Sequence, residues 1–107
     1  MLERSSTRIR TRKPTTPGEV LLEEFLKPAG ITQSAFARHL GFDVKTINRL
    51  VRGHTSLDVG MARRIAAAVN TSAQFWINLQ QAVDLYEADQ HSGDLPEVLE
   101  AFKGEVD

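Results

Sequence analysis

Lys45, Asn48 and Arg49 fall within about one helical turn of each other, and Arg52 follows a turn later. Residues three and four apart on a helix are neighbours, so Lys45 and Arg49 share a face with Asn48 beside them. These side chains have a defined chemistry. Arginine or lysine donates to guanine O6 and N7, and an asparagine amide pairs with adenine N6 and N7. Asp43 and Val44 stand at the N-terminal tip of the same segment, where a valine suits a thymine methyl. Thr46 and Arg52 suit phosphate oxygens, as do Gln33 and Ser34 at the start of the preceding segment. No comparable set for bond-making chemistry is visible. Glu23 and Glu24 are sequence neighbours and point in different directions on a helix, which reads as solvated charge. His39, His54 and His91 are widely separated, without the spacing of a metal site, and there is no cysteine. Nucleophile-elbow, phosphate-loop and dinucleotide patterns are missing as well. The expectation is a binding protein without enzymatic activity, cofactor or metal.

Two short helices joined at a glycine position these residues. The run Gln33–Leu40 carries Ala35, Phe36, Ala37 and Leu40, and the run Val44–Arg52 carries Val44, Ile47, Leu50 and Val51. Both patterns have helical spacing with the apolar residues turned inward. Gly41 falls where the first helix must stop, and glycine takes the left-handed conformation there at little cost. Asp43 offers an acceptor to the amides that open the second helix. A basic, amide-bearing helix crossed by another short helix suits the DNA major groove.

The spacing from Ala37 through Gly41 to Ile47 and Leu50 resembles the helix-turn-helix of the Cro/C1-type repressors. The flanking stretches TPGEVLLEEFLKPAGIT and TSAQFWINLQ resemble the HigA (VapI-type) antitoxins, and the resemblance runs from about Thr16 to about Tyr86. It implies an all-α, five-helix, lambda repressor-like domain. It also implies two linked roles: neutralising a co-encoded HigB-like toxin of the RelE type, which cleaves mRNA, and repressing the shared operon at a palindromic operator. In this class the glutamine opening the first motif helix commonly contacts a backbone phosphate, and Gln33 matches it. The toxin partner comes from the resemblance alone.

Composition sets wider bounds. The chain has 107 residues and a formal net charge of −1, ordinary for one globular domain with tails. The near-neutral total conceals an asymmetry. Arg4, Arg8, Arg10, Arg12 and Lys13 oppose Glu3 alone at the front, whereas Asp89, Asp94, Glu97, Glu100, Glu105 and Asp107 oppose Lys103 alone at the end. There is no long apolar run or signal sequence, and a cytoplasmic, nucleoid-associated protein is expected.

The chain divides into a basic, flexible arm (1–15), a DNA-binding and dimerisation domain (16–88) and an acidic tail (89–107). The arm either engages phosphates or an acidic partner, or is a solvated tail. Thr16-Pro17-Gly18-Glu19 reads as a capping box opening a first helix, with Leu21, Leu22 and Phe25 buried and Lys27-Pro28 ending it. Thr32 caps the helix beginning at Gln33. Ser56 is expected to cap a fourth helix that buries Met61, Ile65, Ala68 and Val69, turns Arg63 and Arg64 outward, and ends at Asn70. Ser72 then caps a fifth helix over roughly residues 73–88. Its stripe is Phe75, Leu79, Ala82, Val83 and Tyr86, with Trp76 at the edge and Ile77 and Leu85 on the far side. A small domain has one interior, so this surplus of apolar surface calls for a second covering. A homodimer surface is therefore expected among Trp76, Ile77, Leu79, Val83, Leu85 and Tyr86, although Trp76 suits the core better. In the tail, Leu95, Val98, Leu99 and Phe102 have the spacing of a short amphipathic helix over residues 96–102, which could pack on its own domain, extend a dimer contact, or bind a basic partner. The other reading is a frayed end.

Two other functions compete with the antitoxin reading. One is a stand-alone regulator of the same fold, such as a phage-type repressor or restriction-modification controller. The other is a protein–protein adaptor, which the basic face at Lys45, Arg49 and Arg52 disfavours.

Overall fold

A computed structural model of the protein describes residues 12–91, 93 and 95–104. Most of the basic arm, and Asp94, Glu105 and Asp107 of the tail, lie outside the described residues. The described chain is helical, with no strand among the described residues. Helix α1 is one rod built of three consecutive pieces, Pro17–Val20, Leu21–Leu26 and Lys27–Ala29. It is followed by α2 (Gln33–Leu40), α3 (Val44–Val51), α4 (Val59–Val69) and α5 (Ala73–Asp89), and a 3-10 turn spans Glu100–Phe102.

The start of α1 follows from its capping box. Thr16 Oγ1 accepts from the Glu19 amide at 3.1 Å, and Glu19 Oε1 accepts from the Thr16 amide at 3.0 Å. The end of α1 departs from expectation, because Lys27-Pro28 does not stop it. Residues Leu21–Leu26 form a π turn, in which the Lys27 amide donates to Leu22 O, five residues back. This takes the chain out of the ordinary four-residue ladder just before the position where the proline ring would press on the Glu24 carbonyl. The wider turn also changes the buried face. Leu21 and Leu26, five apart, are both fully buried, while Leu22 and Phe25 are half-buried. Gly30, at φ 69°, then closes the rod, with the Ile31 amide donating to Leu26 O at 2.9 Å.

One interior collects the apolar stripes of all five helices. Leu21 and Leu26 meet Phe36, Ala37 and Leu40 from α2, Ile47 and Leu50 from α3, Met61, Ala62 and Ile65 from α4, and Trp76 from α5. Trp76 is 0% exposed. Its ring packs 5.5 Å from Phe25 and 5.2 Å from Phe75, and its indole N–H donates to Thr71 Oγ1 at 2.7 Å. A large aromatic with its one donor satisfied can serve as a core anchor without an unpaired polar group.

The α4 start and the α5 face both differ from expectation. Asp58, not Ser56, caps α4, accepting from the Met61 amide at 2.8 Å. Leu57 is drawn into the core, so the helix can begin only after it. On α5 the buried line is Trp76, Gln80 and Val83. Phe75 is 40% exposed, Leu79, Ala82 and Tyr86 are half-buried, and Ile77 packs against the core instead of facing away from it. Among the described tail residues, Glu100–Phe102 form a 3-10 turn where a short amphipathic helix was expected, and Leu95, Val98, Leu99 and Phe102 are each more than half exposed.

Gly18 makes the tightest approach to another backbone among the glycines. A Cβ at this position would lie 2.6 Å from Leu50 C and 2.7 Å from Val51 Cα, at the end of α3. Those neighbours are backbone atoms and cannot rotate away. Gly18→Ala should therefore cost about 3 kcal/mol, at the upper end of overpacking effects. Chemical denaturation measures this directly, and a variant as stable as the parent would mean that α1 and α3 have room between them.

Candidate nucleic-acid interface

Helices α2 and α3 form the bihelical unit, and each junction residue has a definite task. Thr32 Oγ1 accepts from the Ala35 amide at 3.0 Å to open α2. Gly41 closes it at φ 81°, and the Phe42 amide returns to Ala37 O at 2.9 Å. Asp43 Oδ1 accepts from the Lys45 amide at 2.9 Å and fixes the first turn of α3. Buried Ile47 and Leu50 hold the inner side of α3.

The outer side of α3 brings together most of the residues singled out by type and spacing. Lys45, Arg49 and Arg52 are exposed, and Thr46 and Asn48 are half-buried. Val44 is 42% exposed, so it joins the outer tip instead of the inner stripe to which its spacing first assigned it. Across the motif, Asn48 Nδ2 donates to Gln33 Oε1 at 3.3 Å. That bond sets the half-buried Gln33 amide, at the head of α2, beside the middle of α3. Ser34 is exposed next to it. The carboxylate of Asp43 is partly committed to its capping bond, which makes it first of all a residue that positions the tip.

Two polar side chains that position this unit were not found by sequence reasoning. Arg64 is exposed on α4, as expected, but it is not idle: its Nη1 donates to Leu40 O at 2.6 Å, and its guanidinium lies 5.4 Å from the centre of the Phe42 ring. It clamps the turn between α2 and α3 through a carbonyl that the helix end leaves unpaired. Gln80 is buried in α5, accepts from the Leu57 amide at 2.9 Å and donates to Asp84 Oδ1 at 2.9 Å. It ties the loop leaving α3 to the longest helix. A lone glutamine in an apolar helix has no sequence signal of its own. A weak one exists for Arg64, which occupies the α4 position three residues after buried Met61.

The root of the basic arm is near the far end of α3. Lys13 lines a shallow hollow with Thr16, Glu19, Val51, Arg52 and Gly53, and its Nζ is 3.6 Å from Glu87 Oε2 on α5. Both partners of that ion pair are about half exposed, so the pair is worth little in stability. Its effect is local, holding Lys13 between Glu87 on α5 and the hollow that Arg52 lines. Of the residues expected at a dimer surface, Trp76 and Val83 are interior and have almost no side-chain area to offer. Leu85 is 65% exposed, and Ile77, Leu79 and Tyr86 are half-buried. No group of three metal-ligating side chains occurs among the described residues, and no helix among them is long and apolar enough to cross a membrane.

A bihelical unit with a cationic, amide-bearing outer face defines a helix-turn-helix DNA-binding protein. The helix-turn-helix family model matches residues 22–76. The antitoxin HigA-1 of Vibrio cholerae is 41% identical over 76 residues, which are 71% of this chain and 71% of that protein. The uncharacterized HTH-type transcriptional regulator YbaQ of Escherichia coli K12 is 40% identical over 81 residues, 76% of this chain and 72% of its own. The solved Pseudomonas aeruginosa antitoxin HigA with the higBA promoter superposes with a TM-score of 0.73 at 36% identity, covering 81% of this chain and 100% of that one. This chain belongs to the Cro/C1-type helix-turn-helix family that includes the HigA antitoxins.

The Gln80 tie predicts a specific weakness. Gln80→Leu keeps a similar volume but leaves the Leu57 amide and the Asp84 carboxylate without their partner. An unsatisfied buried donor costs about 1–3 kcal/mol. The variant should lose stability in that range in a thermal or denaturant melt. A loss under a few tenths would mean that water satisfies the Leu57 amide equally well.

Proposed function

We propose that the protein is the antitoxin of a two-component module, neutralising a co-encoded HigB-like mRNA-cleaving toxin and repressing their operon as a homodimer. The observation that carries the DNA half of this reading is the outer face of α3, where Lys45, Asn48 and Arg49 stand together on a helix anchored by Ile47 and Leu50. In the proposed complex the N-terminal half of α3 enters the major groove. Val44, Lys45, Asn48 and Arg49 face base edges, and Gln33, Ser34, Thr46 and Arg52 take phosphates. The Gln33–Asn48 bond is suited to holding a phosphate contact and a base contact in one register.

The homodimer reading is supported by the outer side of α5, where Phe75, Ala82 and Leu85 follow a seven-residue repeat with Asn78. Two-fold symmetry would present two α3 helices roughly 34–36 Å apart, one turn of DNA, to a palindromic site. The toxin half is supported by the similarity to HigA-1, and it implies a cytoplasmic protein. The similarity to YbaQ supports a second reading, a stand-alone transcriptional regulator. The two are separated by co-purifying this chain with the product of the gene beside its own. A stable complex that abolishes toxicity is expected, and its absence leaves the regulator.

Arg49→Ala or Lys45→Ala should weaken operator binding by about 1–3 kcal/mol if the residue pairs with a base. Affinity should fall steeply with salt, with a log–log slope near −0.9 for each phosphate contact. A titration series at several salt concentrations reads both. Unchanged binding in both variants would remove α3 from the interface. Sedimentation at micromolar concentration should show a dimer, and a folded monomer would overturn the role given to α5.

A further inference from the structure

We propose that Arg64 is a positioning residue for sequence reading, whose loss lowers affinity for a preferred DNA site and spares affinity for unrelated DNA. The inference rests on the reading of α3 given above. Contacts with three consecutive residues of the α2–α3 turn carry it. Arg64 Nη1 donates to Leu40 O at 2.6 Å. A Cβ on Gly41 would stand 3.4 Å from the same Nη1, so the guanidinium lies against the glycine that ends α2. The guanidinium carbon is 5.4 Å from the centre of the Phe42 ring, within cation–π range. No ion pair among the described residues includes Arg64, so its placement does not follow from a carboxylate partner. A planar guanidinium can donate in its plane and stack across it, which an ammonium cannot do.

The hydrogen bonds of the turn show why a side chain is needed there. The Phe42 amide donates to Ala37 O at 2.9 Å and the Gly41 amide to Arg38 O at 3.2 Å. Leu40 O, one of the last carbonyls of α2, receives no backbone amide among the described residues. Arg64 supplies that donor from a firm base, since Ala62 and Ile65 beside it on α4 are fully buried. Immediately beyond the turn Asp43 caps α3, and Val44 and Lys45 open it. The path of Leu40, Gly41 and Phe42 therefore sets where Lys45, Asn48 and Arg49 stand relative to Gln33 on α2. Binding a preferred site needs the base-facing and phosphate-facing groups in one register, whereas non-specific binding needs only positive charge near phosphates. A loosened turn moves the cost of ordering these groups into the binding step. That cost falls on sequence reading and leaves the non-specific hold intact.

The test uses two DNA duplexes of equal length: one that the whole wild-type chain selects from a random library, and one of random sequence. Arg64→Met keeps the aliphatic stem and removes the donor and the charge. Its affinity for the selected duplex should fall about tenfold, the size expected when one or two side chains must be ordered on binding. Its affinity for the random duplex, and its salt slope on the selected one, should stay at the wild-type values. Arg64→Lys, which keeps the charge and a donor but cannot stack on Phe42, should fall between Arg64→Met and wild type. If both affinities drop together and the salt slope loses about 0.9, Arg64 is itself a phosphate contact and the positioning role is wrong. Unchanged affinities in Arg64→Met overturn it too, as does an Arg64→Lys chain equal to wild type. All affinities are read below the melting temperature of every variant, where a role in stability alone would leave their ratio unchanged. Should Arg64→Met fail to fold, Phe42→Leu decides in its place, because it removes the stacking partner and leaves Arg64 present. A wild-type chain that selects no sequence at all overturns the reading of α3 instead.

Discussion

The fold depends on a contact made possible by an absent side chain. At Gly18 the first turn of α1 lies against the backbone of Leu50 and Val51, closer than any Cβ would allow. Because the contact is between two backbones, it fixes the end of α3 more rigidly than interdigitating side chains would. Leu21 and Leu26, further along α1, then reach the same interior that Ile47 and Leu50 enter from α3. The helix α3, with 8 residues, is too short to be stable in isolation. Its conformation and angle are therefore properties of what lies behind it, and the approach at Gly18 sets the distance.

Around that contact, polar ties fix what apolar packing leaves undetermined. Hydrophobic burial is non-directional, so Ile47 and Leu50 hold α3 in place without specifying where its ends point. Asp43 specifies the first turn by capping it, and Arg64 holds the preceding turn through Leu40 O. Gln80 fixes the loop after the helix through the Leu57 amide. The three come from different parts of the chain, and together they constrain both ends of the segment that carries Lys45, Asn48 and Arg49. Preorganisation of this kind matters for DNA binding, because side chains aimed at base edges must arrive in one register with the groups aimed at phosphate.

Local chemistry made a good part of this legible in the sequence. Thr16 with Glu19, Thr32 before Gln33, Gly41, Asp43 and Ser72 all cap or stop the helices to which their types assigned them, since capping involves neighbours in sequence. What stayed hidden depends on contacts between distant residues. Pro28 looked like a stop because the π turn that accommodates it depends on the burial of both Leu21 and Leu26. Ser56 and Asp58 are equally good caps, and the choice was made by Leu57, whose side chain enters the core. Arg64 is exposed as expected, but its tie to the turn stayed hidden because its acceptor, Leu40 O, is 24 residues away. On α5 the apolar residues are so numerous that periodicity selects no single face. The buried one is set by Trp76 and Gln80, the first by its size and the second by a backbone partner in another loop.

That last ambiguity has a physical meaning of its own. A helix that is apolar on more than one side cannot satisfy itself in a five-helix unit, and α5 leaves Phe75 and Leu85 uncovered at its two ends while burying Trp76. The proposed recognition face carries few cations in a chain whose net charge is −1, so one copy would have a limited electrostatic hold on DNA. The proposed pairing through α5 would double the number of phosphate contacts and set the separation of the two reading helices. On this view the surplus apolar surface of α5 and the modest charge of α3 are complementary properties. A surface too weak to hold DNA alone becomes selective when the spacing of two copies, rather than the affinity of either, decides which sites are bound.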